Sequence, residues 1–480
     1  MREIVSRIAG TTCGLCSMRK KLVNAVPSKR GILFFMAAMT VTHLARADQS
    51  QLVVNTEISG PVLTFDWPAV QIGTASYEDG PTGVTVFRFP RKVSAAVDVR
   101  GGAPGTVNTD ALRLGYSNAF IDAIVFSGGS SYGEEAITAV MTGLKDDGIR
   151  SGMRGDIAFS TGAIIYDFLG HRLNEIYPDR RLALAALHSL RPGVFPLGAQ
   201  GAGRMAMQGG FFGCAAHSGQ GGAFRQVGEM KIAAFVVVNA LGAITDRDGR
   251  LVSCHRNPAW GNLTKTSDLL ARVTALATPG RPATSPGGTS NTTISVIITN
   301  RKTSASGLQR LAIQVHSSMA RAIQPFSTFE DGDTLFAVST QEVGDANSEP
   351  NASIGFAIAA ETMWDAILAS VPSDPPAPAT PDVDLTRDQM TQFVGVYQMG
   401  PHAMMSIDLA DGNLRATLNG MRFFDLGASP ATLHATSETE FHLDSRYGTR
   451  LAFTFGSDGK AVRLTVNPGQ WAQRGERVTN

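Results

Sequence analysis

From about Leu52 to Leu368, apolar positions come in short continuous runs separated by glycine-rich stretches and helix-spaced segments. Ala123-Ile124-Val125-Phe126 is one such run and predicts a buried strand. It leads into the small-residue stretch Ser127-Gly128-Gly129-Ser130-Ser131-Tyr132-Gly133, and then into Glu134–Met141, which predicts a helix. Ile232–Val238 predicts a second buried strand, ending at Asn239. Leu308, Leu311, Ala312, Val315, Met319 and Ile323 recur at helical spacing and predict an amphipathic helix. Together these segments read as one α/β unit. Thr278–Ser290 has no large aliphatic or aromatic residue and reads as a flexible loop suited to being cut and displaced.

Past residue 370 the texture changes. Residues 371–384 are a Pro-rich linker, extended and semi-rigid, which implies few contacts across the boundary. From 385 to 480 the pattern has period two. Met405, Ile407 and Leu409 alternate with polar neighbours, as do Leu414, Ala416 and Leu418, then Leu451, Phe453 and Phe455, then Val462, Leu464 and Val466. Asp411-Gly412 and Asp458-Gly459 sit where hairpin turns belong. This predicts a small all-β domain, similar to the barrel-like appendage of many secreted serine hydrolases, with no catalytic constellation of its own.

The first 47 residues stand apart. Eight Lys/Arg and one acid surround the apolar run Gly31–Met39, and the segment ends Ala45-Arg46-Ala47. It reads as a secretory signal peptide cleaved after Ala47, which makes the protein periplasmic or secreted and leaves no membrane attachment. An uncleaved anchor fits less well, because the run is short and Arg46 interrupts it. With the leader gone, the whole-chain net charge of +1 becomes −6. No basic face then suggests nucleic acid. Cys13 and Cys16 fall in the leader and have no second Cys pair to make a metal site. Cys214 and Cys254 remain and could pair in an oxidising compartment, which spacing alone does not establish.

The chemistry concentrates at Gly287-Gly288-Thr289-Ser290-Asn291-Thr292-Thr293-Ile294-Ser295-Val296-Ile297-Ile298-Thr299. A small-residue loop runs through Asn-Thr-Thr into a β-branched strand, which puts a hydroxyl at the first residue of a buried strand. A chain that cut itself between Asn291 and Thr292 would free a threonine carrying both an attacking hydroxyl and its own α-amine base. That amine has an ordinary pKa of roughly 7.7–8.0, suited to a general base at neutral pH. Alone, the same residues describe only a loop ending in a strand.

The surrounding blocks add weight. They are Val97-Asp98-Val99-Arg100-Gly101-Gly102, Ser127–Ala136, Ile164-Ile165-Tyr166-Asp167-Phe168, Gly219–Arg225, Val236-Val237-Val238-Asn239, His316-Ser317-Ser318-Met319 and Phe329–Ala337. In this order, over roughly Phe65 to Leu368, they resemble the DmpA-type L-aminopeptidase/D-amidase family, and most closely its 6-aminohexanoate-oligomer hydrolase branch. The resemblance implies a four-layer αββα sandwich over 48–370, cleavage between Asn291 and Thr292, and an assembly of αβ heterodimers. It places Asp331 and Asp333 beside Thr292, and makes Asn239 and Tyr132 the oxyanion donors. Without it, Asp331-Gly332-Asp333 reads as a turn, Asn239 as a strand terminator and Tyr132 as a half-buried aromatic.

One departure bears on the substrate. The nylon-oligomer branch carries a lysine after its Gly-Ala-Gly block; here Gly201-Ala202-Gly203 leads to Gly210 in its place, and no Lys lies between Lys145 and Lys231. Either Arg204 substitutes or the role is missing. His316 and His217 would be needed for a conventional triad, but His316 falls on the predicted helix and no G-x-S-x-G elbow is present. The Gly/Ser loop lacks P-loop spacing and is followed by Glu134 and Glu135, which argues against nucleotide. No residue spacing suggests a metal, and no cofactor is expected. The reading is a self-processing hydrolase of small peptides or aminoacyl amides acting through Thr292. A nylon-oligomer hydrolase and an uncleaved, non-catalytic binding protein are the alternatives.

Overall fold

The computed structural model describes Ser50 and residues 52–478, except 79–80, 117–119, 151, 153, 169–175, 213–215, 254–263, 277–290, 346–351, 372–382, 401–402, 421–428, 444–448 and 469–471. The leader, the Thr278–Ser290 loop, the Pro-rich stretch of the linker, and Cys214 and Cys254 lie outside the described residues.

The principal strands are β1 (Gln71–Tyr77), β2 (Thr82–Val99), β3 (Phe120–Ser127), β4 (Ser160–Ile164), β5 (Gln220–Val227), β6 (Met230–Asn239), β7 (Thr292–Lys302) and β8 (Thr334–Asp345). The helices packed on them are α1 (Glu134–Asp146), α2 (Arg180–His188), α3 (Ala305–Ser318) and α4 (Ala352–Ala369). All eight strands belong to one hydrogen-bonded sheet in the order β5-β6-β7-β8-β2-β3-β4, with β1 also on β2. The pairs β7/β8 and β3/β4 are parallel and the others antiparallel.

That sheet becomes two layers because β2 serves both. Its first half, through Arg88, pairs with β1 and β3, whereas Ser94–Val99 pair with β8. Between them the register with β3 jumps from Arg88/Ala123 to Val93/Ile121. Pro90 sits in this gap, where it fixes φ and removes a ladder donor. The strand therefore crosses from one layer to the other, and both of its termini return to the same end of the sandwich.

Burial patterns define four layers. Phe87 and Phe126 from one sheet meet Phe235, Val296 and Phe336 from the other in a shared core. The alternate residues Val236, Ile297 and Leu335 pack outward on Leu308, Leu311 and Val315 of α3 and Met363 and Ile367 of α4. On the opposite side Val86 and Val125 pack on Ile137 and Val140 of α1 and Leu182 and Ala186 of α2. Both faces of each sheet are covered. The period-two alternation is thus hidden inside continuous apolar runs such as Ile232–Val238. The expected αββα sandwich is the fold observed.

Two local expectations need correction. The helix predicted through Ile323 ends at Ser318; a 3₁₀ turn follows, and Ile323 pairs instead with Ile244, which starts the chain's return toward residues 327–333. The C-terminal domain is a closed barrel of eight antiparallel strands between Gly395 and Arg477, with its last strand paired to its first. Asp411 and Gly412 both have positive φ, 51° and 79°, as a type I′ hairpin requires. Val462, predicted to face inward, is 39% exposed. A register irregularity sets Phe455 opposite Ala461, so Ala461 takes the inward position with Leu464 and Val466.

Candidate active site

Strand register delivers the central residues. The β6/β7 ladder places Asn239 directly opposite Thr292, and Thr292 is the first residue of β7 and buried. One residue earlier, Asn291 bridges Asp331 in parallel. The Asn291 carbonyl oxygen accepts from the Gly332 N–H at 2.8 Å and from the Thr292 hydroxyl at 2.6 Å. It therefore sits between two donors with the hydroxyl against it. The approach requires glycine at 332: a Cβ there would lie 2.6 Å from Thr292 Oγ1 and 2.7 Å from the Ala103 carbonyl oxygen.

Asp331 and Asp333 flank this glycine, and both are buried. Asp331 accepts from the Thr328 hydroxyl (2.7 Å), the Thr328 N–H (3.2 Å) and the Leu241 N–H (3.2 Å). Asp333 accepts from the Thr293 N–H (2.7 Å) and the Ser327 N–H (3.0 Å). Burial, and then the neighbouring Asp331 charge, push the Asp333 carboxyl up to about 8. Burial also raises Asp331. Two carboxyls this close in a dry site disfavour simultaneous ionisation, so the pair keeps a proton in the neutral range.

Asn239 is held at both ends of its amide. Its Oδ1 accepts from the Met207 N–H at 3.0 Å, and its Nδ2 donates to the Tyr166 carbonyl at 2.9 Å. A carboxamide nitrogen has two hydrogens, and the Tyr166 contact uses one of them. The Tyr166 contact ties the two sheets together at this end. The next residue, Asp167, accepts from the Gly129 N–H (2.9 Å) and the Thr82 hydroxyl (3.2 Å). It thereby anchors the loop that carries Tyr132. Tyr132 itself is 54% exposed and lies against Tyr177. Its hydroxyl makes no hydrogen bond to Thr292, Asn239 or either aspartate among the described residues. The structure thus brings Thr292, Asn239, Asp331 and Asp333 together and places Tyr132 on a loop anchored beside them.

Sequence reasoning assigned no role to Asp167 or Gly332. Asp167 lies within the Ile164–Phe168 block, but its partners are dozens of residues away; Gly332 reads in the sequence as the middle of a turn. His316 is buried on α3 with Nδ1 2.9 Å from Asp98 Oδ2, and burial lowers its pKa. It serves the helix–sheet interface, as its place on the predicted helix suggested.

Among the described residues Arg204 makes no hydrogen bond to Thr292, Asn239, Asp331 or Asp333. Its buried guanidinium contacts Glu78 Oε2 at 3.2 Å, the Ala472 carbonyl at 3.0 Å and Met205 Sδ at 3.5 Å. At Gly210, the nearest atoms to an added Cβ are Leu241 Cδ1 at 3.5 Å and Leu241 O at 3.9 Å. Leu241 is also the residue whose N–H holds Asp331, so position 210 is connected to the aspartate pair through Leu241.

The model of peptidase family S58 matches residues 63–376. A putative NylC-analogous protein of Agromyces sp. is 42% identical over 318 residues, 64% of this chain and 99% of the relative. The 6-aminohexanoate-oligomer endohydrolase of the same organism is 42% identical over 318 residues, 64% of this chain and 85% of the relative. Among solved structures, the L-aminopeptidase D-Ala-esterase/amidase of Ochrobactrum anthropi is 17% identical with a TM-score of 0.47, covering 67% of this chain and 91% of that one.

Proposed function

Because this chain belongs to peptidase family S58 and is a hydrolase acting on peptide or amide bonds, we propose that it is a self-cleaving N-terminal-threonine enzyme acting through Thr292. The observation that carries this reading is the Asn291 carbonyl, held by the Gly332 N–H with the Thr292 hydroxyl 2.6 Å away. The hydroxyl oxygen attacks the Asn291 carbonyl carbon. The C–N bond to Thr292 breaks, and an ester links the two residues. Water then hydrolyses that ester, leaving an Asn291 carboxylate and a free Thr292 amine. Negative charge develops on the Asn291 oxygen, where the Gly332 N–H already points.

The second reaction reuses the hydroxyl. The freed amine takes the hydroxyl proton as the oxygen attacks the substrate carbonyl carbon and passes it to the departing amine as the substrate C–N bond breaks; water then hydrolyses the resulting acyl ester on Thr292. Asn239, across the ladder from Thr292, donates to the substrate oxyanion, and Tyr132 supplies the second donor. Asp333 grips the N–H of Thr293, one residue from the new amine, and so orients it. Asp331 fixes the turn and balances charge.

The substrates are small peptides or aminoacyl amides, since the position of the nylon-oligomer lysine is Gly210 and Arg204 is engaged elsewhere. Hydrolysis of 6-aminohexanoate oligomers is the second reading, favoured by 42% identity to an enzyme of that name. We place the protein in the periplasm after removal of residues 1–47, assembled from αβ heterodimers. Intact mass and N-terminal sequencing of the purified protein test the nucleophile. Two fragments, the smaller beginning at Thr292, are expected. A single unprocessed chain without amidase activity, as a binding protein would give, refutes it. Side-by-side rates on aminoacyl amides and 6-aminohexanoate oligomers decide the substrate.

A further inference from the structure

The barrel is held to the hydrolase domain through Arg204. The Arg204 side chain is only 5% exposed, and its guanidinium spans Glu78 of the hydrolase domain and the Ala472 carbonyl of the barrel. Arg474, at the start of the last barrel strand, is close enough for its charge to oppose that of Arg204. A buried guanidinium needs fixed acceptors, because an unsatisfied N–H in a dry site is strongly unfavourable. This contact therefore seats the barrel on the hydrolase domain.

Where the seat lies matters more. Arg204 is three residues before Met207, whose N–H holds the Asn239 side chain. Glu78 directly follows Tyr77 at the end of β1, opposite Thr82, and Thr82 bonds the Asp167 that anchors the Tyr132 loop. One hydrolase-side element of the seat thus leads within a few residues to Asn239, opposite Thr292, and the other to the anchor of the Tyr132 loop. The barrel lies outside the stretch shared with the family, which ends at residue 376.

We propose that the barrel, seated on Arg204, is a fixed wall of the active-site mouth that limits the enzyme to short substrates. This rests on the assignment of Thr292 as the reacting residue. The wall excludes amides whose acyl or leaving portion extends past the barrel edge, and passes single-residue amides.

The test compares full-length wild type with Arg204→Met, Glu78→Gln and Arg204→Lys. Small-angle scattering reports whether the barrel is seated. The kcat/KM ratio for a tetrapeptide amide over a single-residue amide reports the wall. Arg204→Met is expected to raise the radius of gyration. It is also expected to raise the ratio by about tenfold, the effect of roughly one methylene-sized contact. The change should appear in KM for the long substrate. Glu78→Gln, which keeps the shape of the pair, should move both readouts in the same direction by less, and Arg204→Lys should restore them in part. An unseated barrel with the wild-type ratio overturns the wall, and an unchanged radius in both Arg204→Met and Glu78→Gln overturns the seat. If the wild type is uncut and inert, the Thr292 assignment fails instead, and scattering still decides the seat.

Discussion

Gly332→Ala isolates one contact of the proposed self-cleavage. The added methyl would lie 2.6 Å from Thr292 Oγ1, 2.7 Å from Ala103 O and 3.1 Å from Thr292 Cγ2. Two of these are closer than a side-chain carbon tolerates, and one is to backbone that cannot swing aside. The structure must give by separating the 331–333 turn from Thr292. That lengthens the 2.8 Å bond from the Gly332 N–H to the Asn291 carbonyl. Overpacking of this kind typically destabilises by about 1–3 kcal/mol. Loss of one preorganised oxyanion donor slows an acyl-transfer step by roughly 10²–10³. Self-cleavage should therefore slow by at least about 10², far beyond what the stability loss alone explains while the protein stays folded. The assay is a time course of fragment appearance by intact mass after expression at low temperature, with thermal melting alongside. Gly355→Ala is the control: it lies within α4, its added Cβ meets only Met230 Sδ at 3.7 Å, and it should leave cleavage unchanged. Wild-type cleavage in Gly332→Ala would refute the role given to this N–H.

Other substitutions test the remaining groups. Thr292→Ala should remain one chain and be inactive, as read on a denaturing gel and by amide turnover. Asp333→Asn should keep the fold and lose most turnover. In the intact chain the raised Asp333 pKa means that the folded state holds a proton which the unfolded chain, at its ordinary value of 3.8, releases; stability should fall as pH rises from about 4 toward 8. Denaturant melts of Thr292→Ala across that window should show the fall, and Asp333→Asn in the same background should flatten it. Tyr132→Phe should reduce kcat by about 10² if its hydroxyl serves as an oxyanion donor; wild-type turnover would return it to a surface aromatic. Gly210→Lys puts an ammonium beside the aspartate pocket and should shift the acid limb of the pH–rate profile downward; an unmoved profile would show that position 210 does not reach the pair.

Much of the molecule is local and was readable as such. A strand or helix buried on one or two faces writes its periodicity into consecutive residues, which is why Ala123–Phe126, Ile232–Val238 and the β-branched run from Thr292 lie inside observed strands. The Asp411-Gly412 turn followed from the φ values those residues tolerate. Thr292, Asn239, Asp331 and Asp333 could be named because a family pattern supplied what their local context left ambiguous.

What remained hidden depends on pairing between distant segments. Periodicity says which face a residue occupies but not which strand lies beside it, nor in what register. That Asn239 stands opposite Thr292, or that Gly332 donates to Asn291, follows from a ladder closed between segments about forty or more residues apart. The bend of β2, which returns both Thr82 and Gly101 to the end of the sandwich that holds Thr292, and the irregularity that turns Val462 outward are settled by the strands on either side. Arg204 is the clearest case. In the sequence it is the cation nearest the position of an absent lysine. Only the packing of a barrel encoded some 270 residues later turns it into a buried seat, because a charge takes its role from whichever acceptors the fold brings to it.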